Sequence, residues 1–193
     1  MRLVLASTSP YRRALLARLG LGFETAGPRC DEDALKDQGL PVAELVTRLA
    51  RDKALSLVDD YPDAVIIGSD QAGDLDGAVL GKPGTPAAAR EQLQRLQGRA
   101  HRLWTAVCVV DARTGERRED LDVHHLRMRR LSDAQIARYV AADDPVDCAG
   151  AYKIEGLGIS LFERVRGDDF TAVIGLPLTR LVALLGRFGI EVP

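Results

Sequence analysis

A hydroxyl-rich loop followed by two arginines is the first part of this sequence with the chemistry to bind an anion. The run STSP at 7–10 precedes Arg12 and Arg13, and its first residue is Ser7. A loop that leads into a helix N-terminus presents free backbone N–H groups and the positive end of the helix dipole, which attract phosphate. The guanidinium groups also suit phosphate oxygens. The alternative is an ordinary helix cap with two solvated arginines.

Lys53 lies in an unusual position on a predicted helix. On a helical wheel of 100° per residue, it falls near the middle of the apolar face. A lysine there must either extend along the surface to water or meet an anion. The helix begins at Pro41, and its apolar face consists of Leu45, Val46, Leu49, Ala50 and Leu57.

Three further charged residues are candidates for the same chemistry. The apolar run 64–67 predicts a strand buried on both faces, and it ends in the segment GSDQ at 68–71, which contains Asp70. Ligands gather at the carboxyl ends of strands in open α/β sheets, so a carboxylate there could bind a metal or activate water. Glu32 could supply a second carboxylate, and Lys82 could reach phosphate. The alternatives are a helix or turn cap for Asp70, a solvated acidic loop for Glu32 and a turn lysine for Lys82.

The elements that would position these residues alternate between strands and helices. Strands are predicted at 3–6, 23–25, 64–67, 106–110, 120–130 and 159–165, with a short one after the turn at 76–77. Ser9 is predicted to cap the first helix, Thr85 a later one, and Ser132 with Gln135 to form a capping box. The last helix should start at Pro177. This pattern predicts an α/β fold in a single domain over 1–193.

Composition narrows the possible functions. The chain has 193 residues, of which 46% are hydrophobic, and a formal net charge of −2. Because nucleic-acid binding usually requires a basic excess, this charge favours a small ligand. The apolar runs are too short for a membrane span. The sequence has three widely spaced cysteines and no secretion signal, which favours the cytoplasm. It has no P-loop motif, and His101, His124 and His125 have no metal-ligand spacing.

Seven short motifs together resemble the Maf-like nucleotide pyrophosphatase family, whose members release pyrophosphate from nucleoside triphosphates. The motifs occur in family order over nearly the whole chain: LASTSPYRR (5–13), DE (31–32), RDKA (51–54), GSDQ (68–71), GKP (81–83), AGAY (149–152) and GLPL (175–178). The resemblance implies a mixed sheet flanked by helices with an active-site cleft, as in inosine-triphosphate pyrophosphatases. It also implies a possible homodimer.

The resemblance further implies a role for each matched residue. Ser7, Arg12, Lys53 and Lys82 would hold the triphosphate. Glu32 and Asp70 would bind a divalent cation, Mg²⁺ or Mn²⁺, and Asp70 would be the catalytic residue, either as the general base or mainly as a metal ligand.

Three other positions, Tyr11, Gln71 and Glu155, stand where family members differ by substrate. An aromatic residue, Gln and Glu resemble the branch that cleaves 7-methyl-GTP, although that branch often has Trp in place of Tyr11. Methylated guanine is cationic and would stack on an aromatic ring, and a carboxylate can accept both N–H groups of its base-pairing edge.

The sequence is compatible with two other functions. The same chemistry could act on dTTP, UTP or another modified nucleotide, although Gln71 and Glu155 disfavour pyrimidines. The chain could instead be a nucleotide-binding regulator of cell division without significant turnover, an alternative that the acidic residues beside the basic ones disfavour.

Overall fold

The computed structural model describes residues 2–192, in which seven strands and seven α-helices follow one another along the chain. The strands are β1 (Arg2–Ala6), β2 (Glu24–Ala26), β3 (Ala64–Leu75), β4 (Ala78–Leu80), β5 (Ala100–Asp111), β6 (Arg117–Met128) and β7 (Phe162–Arg166). The helices are α1 (Pro10–Ala17), α2 (Glu32–Lys36), α3 (Val42–Leu55), α4 (Pro86–Leu96), α5 (Asp133–Asp143), α6 (Phe170–Ile174) and α7 (Leu178–Arg187). Short 3₁₀ helices span Ala149–Ala151 and Leu157–Leu161.

The strands form one mixed sheet in the order β2-β1-β3-β5-β6-β7, with β4 paired to β3. β1 runs parallel to β2 and to β3, whereas β4 is antiparallel to β3 and β7 is antiparallel to β6. The α/β class and the mixed sheet with helices are therefore as predicted. In the part of the chain that is described, no helix is both long and apolar enough to cross a membrane.

Most of the predicted elements are confirmed because local signals define them. Ser9 accepts a hydrogen bond from the Arg12 N–H, and Thr85 accepts one from the Ala88 N–H. Ser132 and Gln135 form the predicted capping box of α5. The C-terminal strand is shorter than predicted, because residues 157–161 form a 3₁₀ helix and β7 begins at Phe162.

The prediction that a strand ends just before Asp70 is wrong. β3 continues to Leu75, so Asp70 lies within the strand. The parallel pairing with β1 does end at Ile67, but β4 then folds back and pairs with residues 73–75. β5 is also hydrogen-bonded to β3, so several sheet partners keep this strand extended, and Asp70 lies between the segments paired with β1 and with β4.

The chain divides into two compact units, which are described separately. Unit 1 contains residues 1–70, 105–122 and 169–193, and unit 2 contains residues 71–104 and 123–168. The assignment of the whole chain to one domain stays a prediction. The core of unit 1 consists of apolar residues from β1, α1, β3, β5, α7 and the segment before α7: Leu3, Leu5, Leu15, Leu16, Val65, Ile67, Val107, Val109, Leu176, Leu178, Leu181 and Leu185.

The core of unit 2 contains a buried histidine. The His101 ring lies against the rings of Tyr152 and Phe162, and its Nε2 is 3.1 Å from the Tyr152 hydroxyl. Burial lowers the pKa of His101 to about 4, so the ring is neutral at pH 7. Its Nδ1 has no hydrogen-bond partner within the described residues. His101 therefore acts as a core residue of this unit.

Gly68 permits helix α3 to lie unusually close to strand β3 in unit 1. A Cβ atom at this position would be 2.1 Å from the carbonyl oxygen of Ala50 and 2.8 Å from the backbone nitrogen of Ala54. Both atoms belong to the helix backbone, so no side-chain rotation relieves the clash. The missing side chain thus sets the separation of α3 and β3, the elements that carry Lys53 and Asp70.

The substitution Gly68→Ala is expected to destabilise the protein by about 3 kcal/mol or more, the upper end of overpacking effects, because α3 must move. Urea unfolding monitored by circular dichroism measures the change. Gly22→Ala is the matched control, since a Cβ there meets no atom within 4 Å. The control should stay within about 0.5 kcal/mol of wild type. Equal stabilities for the two variants would contradict the close-packing argument.

Candidate functional site

The loop between β1 and α1 is built by its own hydroxyl groups. The Ser7 hydroxyl, on a buried side chain, accepts a hydrogen bond of 3.1 Å from the Ser9 N–H. The Ser9 hydroxyl in turn accepts from the Arg12 N–H at 3.4 Å, and Pro10 occupies the first turn of α1. Ser9 is thus the helix cap, while the role of Ser7 in holding phosphate stays a prediction.

Arg12 is half-buried and is held by the backbone of a distant loop. Its Nε–H donates to the carbonyl oxygen of Gly175 at 2.9 Å. Burial lowers the pKa of Arg12, while the charges of Asp70 and Glu32 act in the opposite direction. Arginine nevertheless keeps its proton at neutral pH. The guanidinium is therefore a fixed positive charge within electrostatic range of both carboxylates.

Lys53 lies between two carboxylates. Its Nζ is 2.6 Å from Oδ1 of Asp70 and 3.0 Å from Oε1 of Glu32. Only 6% of the Lys53 side chain and 11% of the Asp70 side chain are exposed, against 37% for Glu32. Lys53 therefore meets anions inside the protein and does not extend along the surface to water. Its contact with phosphate stays a prediction.

Glu32 is the first residue of helix α2 and does not lie in a loop, which corrects the alternative of a solvated acidic loop. Asp31 caps this helix by accepting a hydrogen bond from the Ala34 N–H at 3.0 Å. The cap fixes the start of the helix, from which Glu32 extends to Lys53. In the acidic run at 31–33, Asp31 therefore has a structural role, and Glu32 joins Lys53 and Asp70 in a charged cluster.

The charges of this cluster suit a divalent cation held together with phosphate. Mg²⁺ is commonly bound by one or two protein carboxylates, with phosphate oxygens and water completing its shell. Glu32 and Asp70 share the single ammonium of Lys53, so the three groups together have a formal net charge of −1. No group of three or more His, Cys, Asp or Glu side chains arranged for a metal occurs within residues 2–192. Binding of a divalent cation by Glu32 and Asp70 stays a prediction.

Ser69 and Gly175 support the cluster in roles that no sequence pattern indicated. The fully buried Ser69 hydroxyl donates to the carbonyl oxygens of Ala106, at 2.8 Å, and Gly175, at 3.1 Å. The Gly175 carbonyl also accepts a hydrogen bond from the Arg12 Nε–H, so it joins the residue before Asp70 to the first turn of α1. The GLPL motif drew attention to this segment, but the role of the Gly175 carbonyl could not be predicted without the fold.

The remaining predicted residues are divided between the two units. Tyr11 belongs to unit 1 and is half-buried in the first turn of α1. Gln71, Lys82 and Glu155 belong to unit 2. Gln71 is half-buried in β3, Lys82 is exposed after β4, and Glu155 is exposed in the turn at 154–156. Their functional roles stay predictions.

The cysteines do not offer an activated nucleophile. Burial raises the pKa of Cys108 and of Cys148 to about 12, and it also raises the pKa of Cys30. All three thiols are free. Because the reactive species is the thiolate, these groups are poor nucleophiles at neutral pH.

Replacing Lys53 tests the ion pairs directly. Lys53→Met should destabilise the protein by about 3 kcal/mol, because the buried Asp70 carboxylate loses its counter-charge beside Glu32. Adding Asp70→Asn to that variant should restore part of the loss. The control is Arg48→Met on the same helix, which breaks an exposed ion pair with Glu44 and should cost less than about 1 kcal/mol. Chemical denaturation of the four proteins provides the comparison, and equal losses for Lys53→Met and Arg48→Met would refute the assignment.

Comparison with known proteins identifies the family. The sequence model of the family described as Maf-like protein matches residues 2–188. A 7-methyl-GTP pyrophosphatase of Xanthomonas campestris pv. campestris is 48% identical over 192 residues, covering 100% of this chain and 98% of its own. The protein of that name from Aromatoleum aromaticum is also 48% identical, with the same coverage, and that from Syntrophotalea carbinolica is 44% identical, covering 98% of this chain and 96% of its own.

Among solved structures, a nucleoside-triphosphatase, or dITP/XTP pyrophosphatase, from Mycobacterium abscessus matches 97% of this chain and 96% of that chain. Its TM-score is 0.45 and its sequence identity is 18%, too low to support an inference about the site. The family match covers nearly the whole chain and includes every residue of the charged cluster in unit 1. This chain therefore belongs to the Maf-like protein family.

Proposed function

We propose that this chain hydrolyses 7-methyl-GTP to 7-methyl-GMP and pyrophosphate. The observation that carries the proposal is the buried Lys53 ammonium between Asp70 and Glu32, within electrostatic range of Arg12. Phosphoryl chemistry requires positive groups for the phosphates and a carboxylate for water, and this cluster combines both. The full-length relatives named 7-methyl-GTP pyrophosphatase support the choice of substrate.

The positive groups of unit 1 would bind the triphosphate and stabilise its charge. Arg12 presents a guanidinium whose Nε is already fixed by Gly175, so its terminal N–H groups would bind phosphate oxygens with little loss of freedom. The backbone around Ser7 and the start of α1 would add N–H donors. Lys53 would then neutralise charge that develops as the bond between the α- and β-phosphates breaks. From unit 2, Lys82 would contribute as the family resemblance implies.

Asp70 would activate the attacking water. Lys53 binds Oδ1, so the other carboxylate oxygen, Oδ2, can accept the water proton. The water oxygen forms a bond to the α-phosphorus while the bond from that phosphorus to the bridging oxygen breaks. The electron pair of that bond leaves with pyrophosphate, and the hydroxyl oxygen stays on the monophosphate.

Glu32 and Asp70 would hold a divalent cation, Mg²⁺ or Mn²⁺. When bound, the cation would offset negative charge on the phosphates and help to orient them. Glu32 is the more exposed of the two carboxylates, so it would meet an incoming cation first.

Base selection would depend on Tyr11, Gln71 and Glu155. The cationic ring of 7-methylguanine favours stacking on Tyr11, and Glu155 would accept hydrogen bonds from N1–H and the exocyclic amine. These interactions disfavour uracil and thymine, which have no such pair of donors. The cytoplasm is the compartment that we propose, since the three free thiols are compatible with a reducing environment.

Product analysis in ¹⁸O-labelled water tests the reaction. Wild type with 7-methyl-GTP and Mg²⁺ or Mn²⁺ should release pyrophosphate and place the label in 7-methyl-GMP, which requires attack at the α-phosphorus. Asp70→Asn should lower kcat by roughly 10²- to 10⁴-fold, as expected for loss of a general base. The control is Asp63→Asn, an exposed carboxylate whose loss should leave kcat unchanged. A labelled pyrophosphate, or nucleoside diphosphate with orthophosphate as first products, would contradict the proposal. Binding of the nucleotide without turnover would favour the alternative function, a nucleotide-binding regulator of cell division.

Variants of Tyr11 and Glu155 test base selection. Tyr11→Ala should remove roughly 0.5–2 kcal/mol of cation–π attraction, with a larger effect for 7-methyl-GTP than for GTP. Tyr11→Phe retains the ring and serves as the control. Glu155→Gln should cost roughly 1–3 kcal/mol of discrimination, because one guanine N–H then faces a donor. The measurement is kcat/KM for 7-methyl-GTP, GTP, UTP and dTTP. A wild-type preference for UTP or dTTP, or equal losses on all four substrates, would reject this base assignment.

A further inference from the structure

A buried carboxylate in unit 1, Asp169, joins the beginnings of two helices. Its Oδ1 accepts hydrogen bonds from the N–H, at 2.9 Å, and the hydroxyl of Thr171. Its Oδ2 accepts from the N–H and the hydroxyl of Thr179, both at 2.8 Å. Thr171 is in the first turn of α6 and Thr179 is in the first turn of α7. Asp169 is only 3% exposed, so these bonds form away from bulk water.

The same bonds close the segment that links α6 to α7. The Thr171 hydroxyl accepts a hydrogen bond of 2.8 Å from the Leu178 N–H, which adds a second link between the helices. Gly175, within the closed segment, has a backbone φ of 132° that side-chain-bearing residues rarely adopt. The position of the Gly175 carbonyl is therefore set by the bonds at both ends of the segment.

That carbonyl orients the guanidinium of Arg12. The Arg12 Nε–H donates to it at 2.9 Å, and the Ser69 hydroxyl donates to it at 3.1 Å. Since Ser69 comes directly before Asp70 in β3, the carbonyl joins the residue next to the proposed base to the phosphate-binding arginine. A shift of the segment would move its acceptor away from Arg12.

We propose that Asp169 is a positioning residue for phosphate binding, which acts by fixing the Gly175 carbonyl that orients Arg12. It does not touch the substrate. This inference rests on the proposed function for its kinetic effect, but the hydrogen bond of Arg12 can be measured without turnover. Asp169→Asn presents an amide to four donors and can satisfy at most those facing its oxygen, so the segment should loosen.

Nuclear magnetic resonance of the Arg12 side chain is the first test. The ¹⁵N–¹H signal of its Nε, assigned with Arg12→Lys, should exchange slowly with water in wild type because it is hydrogen-bonded. In Asp169→Asn this exchange should accelerate about tenfold or more, reflecting local opening. Thr179→Val removes one of the four bonds and should give a smaller acceleration, which keeps the test usable if Asp169→Asn does not fold. Ser132→Ala, which removes the cap of α5 in unit 2, should leave the signal unchanged.

A double-mutant cycle is the second test. Asp169→Asn should lower kcat/KM for 7-methyl-GTP roughly 10- to 100-fold, mainly through KM, since misplacement of a binding group has effects of this size. In the Arg12→Lys background, which lacks the Nε–H, the same change should have little further effect. Ser132→Ala should leave kcat/KM unchanged in both backgrounds.

The outcomes separate this inference from the proposed function. An unchanged Arg12 Nε–H signal in Asp169→Asn and Thr179→Val would overturn the inference. Equal factors for Asp169→Asn in the two backgrounds would also overturn it, because they indicate a general loss of structure. Absence of turnover in wild type would instead overturn the proposed function, while the resonance measurement would still decide the role of Asp169.

Discussion

The ammonium of Lys53 is the charge on which the site in unit 1 depends. It is buried on the apolar face of α3, where an unpaired charge would be strongly unfavourable, and Asp70 and Glu32 compensate it. Three elements, α2, α3 and β3, are thereby joined at one atom. The arrangement also keeps two carboxylates close together, since each is balanced by the same positive charge. A protein without this lysine would have to separate them or protonate one.

Backbone contacts fix the positions of the charged residues more precisely than the ion pairs do. Ionic attraction has little directionality, but Gly68 brings α3 against β3 and the Gly175 carbonyl binds both Ser69 and Arg12. These contacts come from residues with no functional group in their side chains, or from a serine that is fully buried. Arg12 is consequently held by a main-chain carbonyl of the segment before α7, and the close approach of α3 to β3 brings Lys53 near Asp70. This explains the glycines of the GSDQ and GLPL motifs, since Gly68 permits the close approach of α3 and Gly175 has a φ of 132° that residues with a side chain rarely adopt.

Local signals made much of the fold predictable, and long-range contacts determine the rest. Ser9 and Ser132 were recognisable caps, and the apolar face of α3 identified Lys53 as unusual before its partners were known. The position of Asp70 within β3 was not predictable, because the length of that strand depends on pairing with β4 and β5, which come later in the sequence. Helix α2 has no buried residue and hence no apolar pattern to reveal it. The functions of Ser69 and Asp169 depend on partners 106 and 10 residues away, which no local pattern could indicate.

The short helix α2, which carries Glu32, affects how readily the ion pair between Glu32 and Lys53 opens. None of the residues of α2 is buried, so the helix has no anchor in the hydrophobic core. The Asp31 cap is a bond within this segment, whereas the ion pair from Glu32 to Lys53 attaches the helix to α3. Segments of this kind unfold locally at low free energy while the rest of a protein stays folded. Release of α2 would leave Lys53 paired with Asp70 alone, so the number of carboxylates at the ammonium can change without disturbing the core.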